Sequence, residues 1–205
     1  MNWILSALGL KPVSEPLVWL QRRETWAGDL KANLIRVSAL FVFGVNEMFI
    51  FYFLKGVSAS FHRSSLLLVA IWFGAAVAHQ MALKNHWLPR SGSVLMVACD
   101  VFLLTRLILA GGGLGSSLVG VYFLIVALSA LRLNPKFVLV STGLCVWGYL
   151  AVLGSSPRPI GDIAPLSVRA TITVLCLLFQ GAILSHGIGR VMDLMKKSQT
   201  GSSNV

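Results

Sequence analysis

Residues 92–110, GSVLMVACDVFLLTRLILA, are the segment that decides the fold class of this chain. A helix needs about 20 predominantly apolar residues to cross a bilayer, and this run has nearly that length. It contains only two charged residues, Asp100 and Arg106. An ionisable side chain inside a span costs roughly 2.5–3.5 kcal/mol on insertion scales, so both residues are candidates for a structural or functional role.

Five further apolar runs of similar length flank this segment on both sides. Glycine, proline and lysine interrupt the sequence between them, as expected of the loops that join membrane helices. Because the backbone in lipid must form its hydrogen bonds internally, we predict an all-α, polytopic integral membrane protein built as a six-helix transmembrane bundle. The predicted spans are Asn33–Leu54, Ser64–Leu83, Gly92–Ala110, Ser117–Leu133, Phe137–Leu153 and Val168–Arg190.

The bulk composition agrees with this class. Hydrophobic residues make up 56% of the 205 residues and charged residues 12%, and the mean hydropathy is +0.80. The formal net charge is +10, but the basic residues lie between apolar runs and do not form one tail or face. They therefore indicate contacts with the lipid bilayer and its anionic headgroups, and no nucleic-acid partner.

The placement of the basic residues predicts the orientation. If the N-terminus is cytoplasmic, twelve of the 17 Lys and Arg residues fall on the cytoplasmic side and four outside, with Arg106 inside a span. By the positive-inside rule, both termini should be cytoplasmic in a multi-pass protein of the bacterial inner (plasma) membrane.

The segment before the first span predicts a separate short helix. Ser14 precedes Glu15 and Pro16, a typical helix start. We expect this helix to lie in the inner headgroup layer. The predicted organisation is thus an N-terminal cytoplasmic or interfacial segment (1–32), a six-span membrane domain (33–190) and a short cytoplasmic tail (191–205).

Three intramembrane charges, Glu47, Asp100 and Arg106, suggest an interaction between the first and third spans. Glu47 and Arg106 lie at similar predicted depth, with Asp100 about two turns deeper. We expect Glu47 and Arg106 to pair, which would fix the register of two helices. The alternative is an ion or proton pathway through the three residues.

Two histidines within spans raise the hypothesis of a membrane electron carrier. His79 and His186 each lie several residues from the basic cytoplasmic end of a helix, and hence at one predicted level. Two imidazoles at matched depth on different helices are suitable axial ligands for haem b. The commoner alternative is a pair of histidines that are hydrogen-bonded or reach the interface.

The glycine-rich turn after the third span is the predicted recognition surface. Gly112 and Gly113 give the backbone access to positive φ, and the hydroxyls of Ser116 and Ser117 follow. Glu47, Asp100 and Arg106 are expected beneath this turn. Together with the turn, they would suit the headgroup of an amphipathic molecule such as a quinone. A plain tight turn is the alternative.

This part of the chain resembles the six-helix membrane sensor regions of bacterial histidine kinases, protein kinases and nucleotide cyclases. In the redox-responsive histidine kinases of purple bacteria, the corresponding turn reads Gly-Gly-x-x-Asn-Pro-Phe and is linked to ubiquinone binding. Here Ser116, Ser117 and Leu118 occupy the places of Asn, Pro and Phe. The resemblance covers about the middle half of the chain and rests on Cys99-Asp100, Gly112-Gly113, Tyr122-Phe123 and Leu131-Arg132.

The functional expectation is therefore a non-enzymatic sensor or accessory subunit. It would bind a lipophilic small molecule, or a membrane-protein partner that is another protein or a second copy of the chain. Because no kinase or cyclase segment follows the sixth span, a sensor of this kind would signal through a separate protein.

Overall fold

The described structure consists of helices and short connections. The computed structural model describes residues 15–54, 58–85, 92–155 and 163–202, which contain helices and no strand. Ser14 and most of the loops after the first, second and fifth spans lie outside these ranges. The helices are α1 (Glu15–Phe49, continued by a π-helical turn at Ile50–Leu54), α2 (Ala59–Lys84), α3 (Gly92–Ala110), α4 (Val121–Ala130), α5 (Pro135–Ser155) and α6 (Ile163–Ser202).

Five helical segments are long and apolar enough to cross a membrane, which confirms the predicted helical class. They are Ala27–Phe53, Ala59–Lys84, Gly92–Ala110, Pro135–Ser155 and Val168–Met195. The fourth predicted span is shorter than expected, because α4 begins only at Val121 after a 3-10 turn at Ser117–Gly120. Ten α-helical and four 3-10 residues reach about 23 Å, less than the ~30 Å hydrocarbon core.

The segment before the first span is not a separate helix. Residues 15–32 begin α1, which runs without a break from Glu15 to Phe49. The sequence contains no helix breaker where the interfacial segment was predicted to end, so one helix continues through that boundary. At the other terminus, α6 extends through the predicted tail as far as Ser202.

Local sequence explains where several helices begin and end. The Ser58 hydroxyl caps α2 by accepting a hydrogen bond from Phe61 N at 3.3 Å. Asn134 Oδ1 accepts from Lys136 N at 3.1 Å, and Pro135 occupies the first turn of α5, where its missing N–H costs nothing. Gly112 has φ of 97°, which ends α3 in a left-handed turn that favours glycine.

Successive helices run in opposite directions, and different polar side chains meet at the two ends of the bundle. Side chains of Asp29, Gln80, Ser93 and Arg132 meet or lie close at one end, here called the Arg132 end. Glu47 and His62 meet at the opposite end, called the His62 end. This up-and-down arrangement is the one that consecutive membrane crossings require.

The centre of the bundle lies between α3, α4 and α5. Half of the α3 span is buried, compared with 17% of the α1 and α6 spans, so α1 and α6 lie at the periphery. α1 packs on α2, while α6 packs on α4 and α5. The residues exposed on these outer helices include large apolar side chains such as Phe41, Phe53 and Phe179, as expected of a surface that faces lipid.

Candidate ligand cleft between α1, α3 and α4

A cleft of about 560 Å³ separates α1 from α3 and α4. Its volume falls within the usual range of small-molecule sites, roughly 300–1,000 Å³. Several wall residues, including Ile35, Val42 and Leu124, are exposed, so the cleft opens sideways between α1 and α4. An apolar molecule in the bilayer would therefore enter it from the side.

The cleft is elongated along α1. Its lining on this helix runs from Ala32 to Asn46, positions fourteen residues apart, which corresponds to about 21 Å of helix. Most walls are aliphatic or aromatic, whereas the charged lining residues Arg36, Asp100 and Arg132 lie toward the Arg132 end. The cleft thus has a charged end and a mostly apolar length, with the polar residue Asn46 at its far limit.

The first polar group in the cleft is a buried ion pair between α1 and α3. Arg36 Nη2 lies 2.8 Å from Asp100 Oδ2, and Trp72 Nε1 donates to the other carboxylate oxygen at 2.7 Å. Arg36 Nη1 donates to Asn33 Oδ1 at 2.6 Å. Asn33 in turn donates to the Ala76 carbonyl at 2.9 Å. This network fixes the Arg36 side chain by hydrogen bonds on both sides.

The second polar group connects α1 with the turn after α4. Arg132 Nε contacts Asp29 Oδ1, Arg132 Nη1 donates to the Ser93 carbonyl at 3.3 Å, and the guanidinium lies 4.0 Å from the centroid of the Phe137 ring. Burial lowers the pKa of Arg132 to about 10, the Asp29 carboxylate opposes this shift, and the charge of Arg36 adds to it. Arg132 therefore remains charged at neutral pH.

A glycine closes the cleft at this end. A Cβ atom at Gly28 would overlap the backbone carbonyl of Leu131, so only glycine lets α1 approach the turn this closely. Asp29 is the next residue and reaches Arg132 from there. Further along the bundle α1 stands apart from α4, and the space between them is the cleft.

The glycine-rich turn predicted as a recognition surface lies apart from this cleft. Gly112 and Gly113 both have positive φ, and Ser116 Oγ accepts from Leu118 N at 3.3 Å, which caps the 3-10 turn. None of Gly112, Gly113, Ser116 and Ser117 lines the cleft. Of the seven residues predicted to bind a ligand, Asp100 is the one that lines the cleft.

The predicted pairing of Glu47 with Arg106 is wrong. Glu47 Oε1 lies 3.5 Å from His62 Nδ1, whereas Arg106 is exposed on α3. Six residues turn a helix by about 600°, which places Arg106 about 120° around α3 from the buried Asp100. Asp100 pairs with Arg36 instead, so the three predicted charges belong to three different environments.

The positions of these charged residues also bear on the hypothesis of an ion or proton pathway. Between the Glu47–His62 pair and the Arg36–Asp100 pair, the α1–α2 interface is occupied by buried Leu40 and Val69. Among the described residues, the space between the two charged groups thus contains these apolar side chains and the buried hydroxyl of Ser65, and no further buried charge.

His79 and His186 occupy different parts of the bundle. His79 is buried in α2, which packs on α1 and α3, and neither ring nitrogen has a hydrogen-bond partner among the described residues. His186 is exposed on α6, which packs on α4 and α5. The haem hypothesis required both imidazoles to face one space between neighbouring helices, and these packings do not provide it.

Sequence reasoning missed the residues that form the polar end of the cleft. Arg36 was counted only as a topology signal, Arg132 as a topology signal and as part of the Leu131-Arg132 motif, and Asp29 was assigned to a surface segment. One signal was available, because Arg36 lies inside the predicted first span, three residues after Asn33. Residues three apart share a helix face, so the pair marked a polar face within an apolar run.

Likeness to known proteins does not supply a function for this site. No protein-family model, curated protein or solved structure matches this chain.

Proposed function

We propose that the chain is a membrane-embedded binding protein for an elongated amphipathic small molecule, and that it serves as a sensor or accessory subunit. The observation that carries this proposal is the cleft, which combines a lateral opening, apolar walls and one polar end. An apolar tail along the walls would exchange one lipid-like environment for another, so the polar end would supply the orientation and specificity.

The rigidity of the polar end supports binding. Arg36 and Asp100 are held by Asn33 and Trp72, and Arg132 is held by Asp29 and Ser93. Side chains fixed before a ligand arrives lose little entropy when it binds. A quinone, the ligand class suggested by the sequence, has this general form, with a polar ring and an apolar tail.

The proposal can be tested by filling the cleft. Ala39 lines the cleft and is exposed, so Ala39→Trp places a large ring there with little overpacking of the core. Ala70 is exposed on α2 and does not line the cleft, which makes Ala70→Trp the matched control. Native mass spectrometry of the purified proteins should show a bound small molecule in the unmodified chain and in Ala70→Trp.

In Ala39→Trp this adduct should be lost. Identical adducts in all three proteins, or none in any of them, would contradict the proposal. Affinity purification from native membranes would then show whether a partner protein accompanies the chain, as a sensor or accessory role requires.

A further inference from the structure

We infer that the cleft selects a single-chain amphiphile with a carboxylate head, held between Arg36 and Arg132. This inference rests on the proposed function and names the class of ligand. Its basis is the balance of hydrogen-bond donors, acceptors and charges at the polar end of the cleft.

The two arginines at the polar end have unused N–H donors. A guanidinium has five N–H groups. Contacts with described residues use one at Nη1 and one at Nη2 of Arg36, and one at Nη1 and one at Nε of Arg132. Three N–H groups on each arginine therefore have no partner among the described residues.

Both oxygens of the one carboxylate in the lining already have a donor. Asp100 Oδ1 accepts from Trp72, and Asp100 Oδ2 pairs with Arg36. The Trp72 N–H is used by the same carboxylate, and the Ser129 hydroxyl donates to Val126 O at 2.6 Å. A head that accepts hydrogen bonds satisfies the remaining donors, whereas an amine head would have to share the oxygens of Asp100 with Trp72 and Arg36.

Charge favours an anionic acceptor over a neutral one. Two cations, Arg36 and Arg132, line the cleft with one carboxylate, Asp100. Asp29 contacts Arg132 but is not part of the lining. The positive charge of Arg36 acts against the charged form of Arg132. An anion between them would offset their repulsion, and a carboxylate accepts two parallel N–H bonds from a guanidinium.

The shape of the cleft favours one chain. The length of about 21 Å and the volume of about 560 Å³ suit an extended alkyl tail beside α1. Leu124, Ile125 and Leu128 of α4 supply the opposite apolar wall.

The test compares ligands that share a tail and differ in the head. The full-length chain is placed in nanodiscs, and binding of radiolabelled palmitate, hexadecanol and hexadecylamine is measured against empty nanodiscs, at a pH well above the titration of the carboxylic acid. An alkyl-tailed quinone serves as a neutral acceptor. We expect palmitate to bind at least ~10-fold more tightly than each of the others, since charge-assisted hydrogen bonds are the stronger ones.

Variants test whether the preference for palmitate arises at the polar end of the cleft. Asp29→Asn combined with Arg132→Gln removes one charge of each sign and should reduce palmitate affinity at least ~10-fold, and hexadecanol affinity by less, because only palmitate loses a charge-assisted contact. Arg106→Gln, on the exposed side of α3, should change neither affinity. The comparison of heads on the unmodified chain does not depend on the folding of any variant.

The outcomes separate this inference from the proposed function. Equal or tighter binding of hexadecanol, hexadecylamine or the quinone, blocked by Ala39→Trp, would overturn the carboxylate inference and leave the proposed function standing. Binding that Ala39→Trp and Ala70→Trp leave unchanged for every ligand would overturn both.

Discussion

Arg36 of α1 and Asp100 of α3 form a buried ion pair, with 2.8 Å between Nη2 and Oδ2, at the edge of the cleft that separates their helices. A buried ion pair contributes less to stability than its distance suggests, because both charges must leave water. Its larger effect is on specificity: α1 must adopt one register and one rotation to bring Arg36 to Asp100. The pair therefore fixes the position of the wall that α1 contributes to the cleft.

Removing one partner of this ion pair should lower the free energy of unfolding more than removing both. Arg36→Gln or Asp100→Asn alone leaves a buried charge unpaired and should lower the free energy of unfolding by about 3–5 kcal/mol. The double variant leaves two neutral polar groups, so its loss should be smaller than the sum. Denaturation in detergent would measure the free energy of unfolding of the unmodified protein and the three variants. Strictly additive losses would show that the two residues act independently.

The Glu47–His62 pair provides a second double-mutant cycle at the other end of the bundle. Glu47→Gln and His62→Phe should be coupled by at least ~0.5 kcal/mol, because the two side chains are in contact, and Phe preserves the ring stacked on Phe51. Glu47→Gln and Arg106→Gln share no contact and should be additive within about 0.3–0.5 kcal/mol. Coupling of Glu47 with Arg106 in these unfolding measurements would restore the pairing predicted from depth.

Gly28→Ala should destabilise the Arg132 end of the bundle. The added methyl group would meet the backbone of Leu131, which cannot move aside as a flexible side chain would, and overpacking of this kind costs about 1–3 kcal/mol. Gly74→Ala is the control, because a Cβ atom there meets nothing within 4 Å and alanine favours a helix. A melting temperature lowered equally in both variants would argue against this contact.

Membrane topology can be checked independently of any ligand. Reporter fusions after Lys84, Asn134 and Lys197 should report the cytoplasm, and fusions at Gly113 and Pro159 the outside, because basic residues are concentrated in the first group of segments. The short α4 makes Gly113 and Asn134 the most informative pair. If both reported the same side, α4 would not cross the membrane, and the six-span count would be wrong.

Much of the helical organisation could be predicted because it depends on local properties of the chain. Apolar runs determined where long helices form, and the predicted limits of the third span, Gly92 and Ala110, are those of α3. The left-handed turn at Gly112 and Gly113 also followed from residue type, since glycine tolerates positive φ. The continuous α1 was missed because a change in polarity was interpreted as a change in structure.

The sequence by itself thus determined an all-helical chain with several segments apolar enough to cross a membrane. Only the tertiary structure decided that Arg36 pairs with Asp100, that Arg132 pairs with Asp29, and that α1 stands apart from α4 to leave a cleft. The physical reason is that apolar content and spacing fix position along a helix axis. Rotation about that axis and the choice of neighbouring helix depend on close packing between distant residues, such as the contact of Gly28 with Leu131.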